Sequence, residues 1–397
     1  MHLNFIKNTV LLFVLTLLSC RNQSNSQVQP AVVVGAQQTE HYLPILKNKN
    51  IGIVANQTTV IFKEEGYTHL VDSLLSLNIA VKKVFAPEHG FRGTADAGET
   101  IKDGIDSGSG VPIVSLYGAN KKPNAKILEG LDLIIFDVQD VGARFYTFLS
   151  TLHYMMETCA NLGITVVVLD RPNPNGHYVD GPILDLNYSS FVGMHPVPIV
   201  HGMTVGEYAK MINGEGWLSK GVQCDLKVIP VENYTHQTAY ELPIKPSPNL
   251  PNATAINLYP SLCLFEGTNV SMGRGTELQF QIFGSPFLKS VDYSYEFTPK
   301  PNVGAKYPVH ENKICTGLNL KDHSILSQIE LKWLLDAYQN TENKAEFFNP
   351  FFTKLAGQKL LQEQIEMGMT SDQIRDSWKT DLERYKLLRA PYLLYPL

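Results

Sequence analysis

Cysteine is scarce: five residues in 397, with no two in a CxxC pair. Cys159, Cys224, Cys263 and Cys315 lie far apart in partly apolar surroundings, so buried free thiols are expected rather than bridges or a metal site. Long runs of like charge are absent and the formal net charge is -5, which leaves no electrostatic footprint for a phosphate backbone and argues against nucleic acid as a partner. No HExxH occurs, and His89, His195 and His201 are too scattered to read as a metal set, so no metal is expected. The GxSxG elbow of a serine hydrolase is missing. Neither GxGxxG nor GxxxxGK[ST] follows the first strand-like run, so a phosphate-cradling nucleotide site is not supported and no cofactor is expected. The chain also lacks internal repeats and low-complexity tracts.

The one long apolar run, Val10 to Leu18 after Lys7, is too short to span a bilayer and has the length of a signal-peptide core. It ends in Leu17-Leu18-Ser19-Cys20, which resembles a bacterial lipobox. The expectation is a lipoprotein signal over 1–20 with Cys20 as the lipidation site, a membrane partner through that anchor, and export to the cell envelope, facing the periplasm or the cell surface. An ordinary cleaved signal with a chance cysteine is the alternative. The polar stretch "RNQSNSQVQP" reads as a tether over 21–45.

Hydrophobic content of 44% allows a sizeable core, and the length suggests two domains. From about residue 50, "IGIVAN", "VKKVFAP", "VPIVSLYG", "LDLIIFDVQD" and "ITVVVLDRPNP" read as buried strands. "THLVDSLLSLN" and "ARFYTFLSTLHYMMETCANLG" between them carry helical spacing, the second closing on Gly163. Such alternation predicts an α/β fold: a Rossmann-like, doubly wound parallel sheet over 46–254. A smaller mixed α/β C-terminal domain over 255–397 is expected beyond the proline-rich "PIKPSPNLPNAT". There "ELQFQIF" alternates like a half-buried strand, and "SILSQIELKWLLDAYQN", "FFTKLAGQKLLQEQIEMG" and "TSDQIRDSWKTDLERYKLL" read as helices, the last with Thr370 and Gln373 as a capping box.

Open parallel sheets bind ligands beyond the carboxyl ends of their strands. The five strand ends carry Asn56-Gln57, Glu88-His89, Tyr117, Asp137 with Gln139 and Asp140, and Asp170-Arg171 with Asn173 and Asn175, a polar rim suited to a polar small molecule. In "VFAPEHGFRG", Glu88 is held on a tight turn beside Phe85 and Phe91 and could serve as a general acid, or could pair with Arg92 and fix the loop. Arg144 in "DVQDVGARFYTF", beside Tyr146, suits a ligand carboxylate or a salt bridge to Asp137 or Asp140. Arg171 and Asn173 sit in "DRPNPNGHYVDGP", a loop stiffened by three prolines, fit for recognition or simply for a turn. "FEGTNVSMGRGTE" offers Glu266, Asn269, Arg274 and Glu277. Either acid could face Glu88 as the second carboxylate of a glycosidase, or could neutralise Arg274.

"APEHGFRG", "DVQDVGARFYTF", "DRPNPNG", "PSPNLPN" and "FEGTNVSMGRGTE" together resemble the exo-β-N-acetylmuramidases of the NamZ type, from about residue 50 to the C-terminus. The resemblance implies a Rossmann-like domain, a smaller C-terminal domain and a cleft between them. It implies release of N-acetylmuramic acid from non-reducing ends of peptidoglycan fragments, whose sugars would be the substrate partner. It makes Glu88 the catalytic acid, oriented by His89 and Arg92. Glu277 or Glu266 would be the second group, and Arg144 or Arg274 would hold the lactyl carboxylate. A lipid-anchored protein that captures muropeptide sugars without cleaving them would present the same crevice, and an amidohydrolase would call for a metal.

Overall fold

Why the sheet forms as it does is visible in its first strand. The computed structural model describes residues 30–91, 99, 103–289 and 291–397. Cys20, the 1–20 segment and Arg92 lie outside them. In β1 (Ile51–Ala55) every residue is buried. Ile51, Ile53 and Ala55 point into one apolar cluster and Val54 into another, as the period of a strand requires. Gly52 is where neighbours come closest: a Cβ there would lie 2.6 Å from Ile134 and 2.7 Å from Phe85. After β1 come the hairpin β2 (Val60–Phe62) and β3 (Tyr67–His69), then β4 (Val81–Ala86), β5 (Gly104–Ile105), β6 (Pro112–Ser115), β7 (Leu133–Asp137), β8 (Thr165–Leu169) and β9 (Leu226–Ile229).

The sheet order is β5-β6-β4-β1-β7-β8-β9, all parallel except β5, which pairs antiparallel with β6 at the edge. Without β5, the parallel strands stand third, second, first, fourth, fifth, sixth in chain order, the doubly wound arrangement that reverses between β1 and β7. The five expected strands are all present. The sixth, β9, is an edge strand with one fully buried residue, too weak a pattern to read in advance. Helix Phe148–Leu162 follows β7 and ends on Gly163 at φ 67°, as its sequence predicts.

The C-terminal region holds an antiparallel sheet of β10 (Ile282–Ser285), β11 (Tyr295–Phe297) and β12 (Cys315–Asn319) in the order β10-β12-β11. The alternating "ELQFQIF" becomes a strand only from Ile282. Phe280 takes φ 52°, which breaks strand geometry while its ring packs edge-on against Tyr259 at 4.9 Å. "FFTKLAGQKLLQEQIEMG" divides at Gly357, φ 76°, into helices Phe352–Ala356 and Leu360–Glu366. Helix Ser371–Arg389 opens with the expected box: Gln373 N donates to Thr370 Oγ1 (3.3 Å) and Thr370 N to Gln373 Oε1 (2.9 Å). One apolar cluster runs from Val54 and Phe136 under the central sheet to Phe283, Trp333 and Tyr385, so the two sequence segments share a core. Cys159, Cys224, Cys263 and Cys315 are buried free thiols, as expected.

At the reversal point between β1 and β7 the polar residues bond to one another rather than opening to solvent. Arg171 forks onto Asp137, with Nε to Oδ1 at 2.6 Å and Nη2 to Oδ2 at 3.0 Å, and reaches the Val60 carbonyl at 3.0 Å. Thr59 Oγ1 donates to the Asp137 carbonyl and Gln139 N to Thr58 Oγ1. Asn173 donates through Nδ2 to Met203 O and accepts from Asn175 N. Asp140 accepts from Gly142 N (2.8 Å) through Oδ1, while its Oδ2 has no partner among the described residues. Asp137, Asp140, Arg171 and Asn173, read from sequence as ligand-facing, therefore belong to a sealed interior network. A buried ionised carboxylate needs a partner, and for Asp137 the chain supplies Arg171.

Burial raises the Asp140 carboxyl to about 7. Unfolded, it titrates near 3.8. Between these values the folded state keeps a proton that the unfolded chain loses, so stability falls as pH rises through that window. Asp140→Asn keeps the acceptor for Gly142 and removes the ionisation. It is expected to raise Tm by about 3 °C or more at pH 8 and by roughly a third as much at pH 5, where the window has only begun to be crossed. An equal gain at both pH values in thermal scans would show that the Asp140 charge is not what the fold tolerates.

Candidate active site

Beside the sealed reversal point, at the carboxyl ends of β4 and β6, lies a cleft of about 520 Å³. β4 delivers Glu88 and His89 two and three residues after its end, on a turn closed by Gly90 N to Pro87 O (3.0 Å). His89 sits at φ 73° and Gly90 at φ 80°, so the chain reverses within two residues and holds Glu88 at the lining. The positive φ at a histidine is costly backbone and marks a position set by its surroundings. β6 delivers Tyr117, and the turn before helix Phe148–Leu162 delivers Phe145, Tyr146 and Thr147. The C-terminal segment closes the opposite side with Tyr259, Cys263, Glu266, Arg274, Phe280 and Phe351.

Glu88 is half-buried and accepts a 2.6 Å hydrogen bond from Thr147 Oγ1. It is also bonded to the Tyr117 phenol, which burial and the Glu88 charge together push well above its usual range. Glu266 lies in the same lining, close enough to add to that effect on Tyr117, and pairs with Arg274 at 2.5 Å. The Arg274 guanidinium lies 5.2 Å from the centre of the Phe280 ring, so Phe280's left-handed backbone serves a site contact. Among the described residues, the cleft therefore holds two carboxylates, aromatic walls and phenols held protonated by burial.

Of the residues singled out from sequence, the structure gathers Glu88, His89, Tyr146, Glu266 and Arg274. Glu277 is exposed and outside the lining, and Asn269 is tied through its backbone to Phe347 and His310, also outside it. Arg144 is corrected most sharply. It is buried, and its Nη1 donates to Pro182 O (2.8 Å) and Val197 O (2.7 Å), its Nη2 to Leu355 O (2.9 Å) and Ala356 O (2.8 Å). Both guanidinium prongs are engaged by backbone, so none faces a ligand and neither Asp137 nor Asp140 is its partner. Desolvation lowers its pKa to about 9.

Lys121, Ser190, Phe191, Ser247, Asn249 and Lys354 line the cleft without having been singled out. Ser247 and Asn249 lie in the proline-rich stretch read as a boundary. It is pinned over the sheet end by Gln57 Nε2 to Lys245 O (3.1 Å) and Pro246 O (3.0 Å), and by Tyr146 OH to Pro246 O (3.0 Å). A signal existed there, since prolines stiffen loops that recognise. Phe191 and Lys354 carry no comparable signal.

A doubly wound sheet bearing a sugar-sized cleft with two carboxylates and aromatic walls defines an α/β protein of glycosidase type. Comparison with known proteins then fixes the family. Residues 51–254 match the family described as exo-β-N-acetylmuramidase NamZ, N-terminal, and residues 257–395 its C-terminal counterpart. The chain belongs to the NamZ family of exo-β-N-acetylmuramidases. It is 34% identical to the peptidoglycan β-N-acetylmuramidase NamZ of Bacillus subtilis, over 98% of each chain. Among solved structures it resembles two DUF1343 family proteins of Bacteroides fragilis. One is 50% identical with a TM-score of 0.85, covering 92% of this chain and 99% of that one. The other is 26% identical with a TM-score of 0.77, covering 92% and 100%.

If Arg144 is a structural clamp, Arg144→Lys, which keeps the charge but cannot span four carbonyls, is expected to destabilise by roughly 3 kcal/mol or more in urea unfolding. Unchanged stability would return Arg144 to the list of ligand-binding groups.

Proposed function

We propose that this protein cleaves N-acetylmuramic acid from the non-reducing ends of peptidoglycan fragments, with Glu88 as general acid and Glu266 as the second carboxylate. The observation that carries this reading is the Glu88 carboxyl itself, at the end of β4, bonded by Thr147 and Tyr117 and sharing one lining with Glu266. A proton donor must be held within hydrogen-bond reach of the glycosidic oxygen, and two neighbouring hydroxyls fix its orientation. Glu266, paired to Arg274, is held as an acceptor and so suits activation of a water or attack at the anomeric carbon. Phe145, Tyr259 and Phe280 offer apolar faces to the sugar ring.

The same reading places the protein in the cell envelope, as a lipoprotein anchored through Cys20. The Leu17-Leu18-Ser19-Cys20 sequence after an apolar run of signal-core length supports it. An envelope location would bring the cleft to cell-wall fragments, and the charge pattern of the chain favours no nucleic-acid partner.

A chromogenic β-N-acetylmuramic acid glycoside, with the N-acetylglucosamine glycoside as control, tests the reading. Wild type is expected to hydrolyse the muramic substrate alone, and Glu88→Gln to lower kcat by at least about 100-fold. Thr147→Val is expected to lower kcat by about tenfold with KM little changed, because it removes one of the two hydrogen bonds that align the Glu88 carboxyl. A folded wild type that binds the sugar and never turns it over would instead be a capture protein.

A further inference from the structure

Among the described residues, two acids and three cations line the cleft: Glu88, Glu266, Arg274, Lys121 and Lys354. Arg274 is paired with Glu266. Lys354 is exposed on the short helix Phe352–Ala356, where solvent and salt screen it. Lys121 differs from both. Its neighbour Lys122 turns away to pair with Glu157 on helix Phe148–Leu162. Lys121 is half-buried and makes no ion pair or hydrogen bond with any described residue. Its Nζ lies 4.4 Å from the centre of the Phe191 ring and 5.6 Å from that of Tyr117, both part of the lining. Aromatic faces attract the cation without using its three N–H donors. Phe191 is in turn backed by Tyr154, stacked at 6.2 Å and 13°.

We propose that Lys121 is the specificity-determining cation of the cleft and binds the carboxylate of the lactyl ether that separates N-acetylmuramic acid from N-acetylglucosamine. The assignment rests on the muramidase reading above. Tyr117 supplies the geometry. Its ring faces the Lys121 ammonium and its hydroxyl is bonded to Glu88, so cation and acid are one tyrosine side chain apart. On the substrate the lactyl ether leaves C3 and the scissile bond leaves C1 of the same ring. One sugar can therefore present its glycosidic oxygen to Glu88 and its carboxylate to Lys121. N-acetylglucosamine has only a hydroxyl at C3, and binding it would desolvate the ammonium without pairing it, which penalises the wrong sugar. A lysine suits a lactyl group that rotates about its ether bond, because an ammonium binds as a point charge rather than as a planar fork.

Wild type, Lys121→Met, Lys121→Arg and Lys354→Met would be assayed on three chromogenic β-glycosides: N-acetylmuramic acid, its lactyl methyl ester and N-acetylglucosamine. Wild type is expected to prefer the free acid over the ester by about 10- to 100-fold in kcat/KM. Lys121→Met should lose that preference on the acid while staying within about threefold of wild type on the ester, Lys121→Arg should restore part of it, and Lys354→Met should keep it. A wild type indifferent to esterification overturns the assignment, even if Lys121→Met fails to fold. So does a Lys121→Met that keeps the wild-type acid-to-ester ratio, or a Lys354→Met that loses it. A wild type inactive on all three substrates sinks the muramidase reading itself, and this assignment with it.

Discussion

The Arg144 guanidinium holds the two halves of this protein in register. Its prongs take the carbonyls of Pro182 and Val197 on one side and of Leu355 and Ala356 on the other. Leu355 belongs to the cleft lining, and Phe351 and Lys354 precede it on the same short stretch of chain. The wall contributed by the C-terminal segment is therefore set by a buried charge that takes up backbone acceptors more than two hundred residues downstream. Gly357 completes the fit, since a Cβ there would lie 2.5 Å from Arg144 Nη2, and the φ of 76° would strain any other residue. A buried guanidinium demands partners for its donors, and that demand makes the interface specific as well as stable.

The same rule explains why the cleft is displaced from where an open α/β sheet usually binds. Between β1 and β7, Asp137 and Arg171 satisfy each other, and Thr58, Thr59 and Gln139 bond across the strand ends. The segment around Pro246, held by Gln57 and Tyr146, covers the same end of the sheet. With the reversal point filled, the groups that remain for chemistry are those at the ends of β4 and β6 and in the turn ahead of helix Phe148–Leu162. The interior polar network is the floor on which the site rests, and its residues need not touch a ligand to be required for one.

The sheet was legible in the sequence because buried parallel strands read as compact apolar runs, and β1, β4, β6, β7 and β8 all do. The position of Glu88 was legible for a related reason: Pro87, Gly90 and a strand end fix a turn locally. Arg144 and Arg171 were legible as important, with ligand binding and a structural role both open. Whether a buried arginine meets carbonyls, a carboxylate or a ligand depends on segments far away in the chain. "ELQFQIF" misled in the opposite sense: its alternation is real, but contacts between Phe280, Tyr259 and Arg274 override the local preference of the backbone. Lys121 and Phe191 lie 70 residues apart and meet only in the folded cleft, so neither announces the other.

What distinguishes this cleft from a generic polar crevice is the division of labour among its charges. Glu88 is oriented by the hydroxyls of Thr147 and Tyr117. Glu266 is held by Arg274, which supplies a countercharge. Lys121 rests on aromatic faces, which leave its donors open. In the proposed mechanism each group has the kind of neighbour its task requires: a donor needs alignment, a carboxylate that receives or attacks needs a countercharge, and a recognition cation needs a support that does not consume it. A doubly wound sheet dictates none of this, since the fold hosts many chemistries. The chemistry follows from which side chains stand at the rim outside the interior network, and that division is set by Arg171 taking Asp137 and by Arg144 taking the backbone.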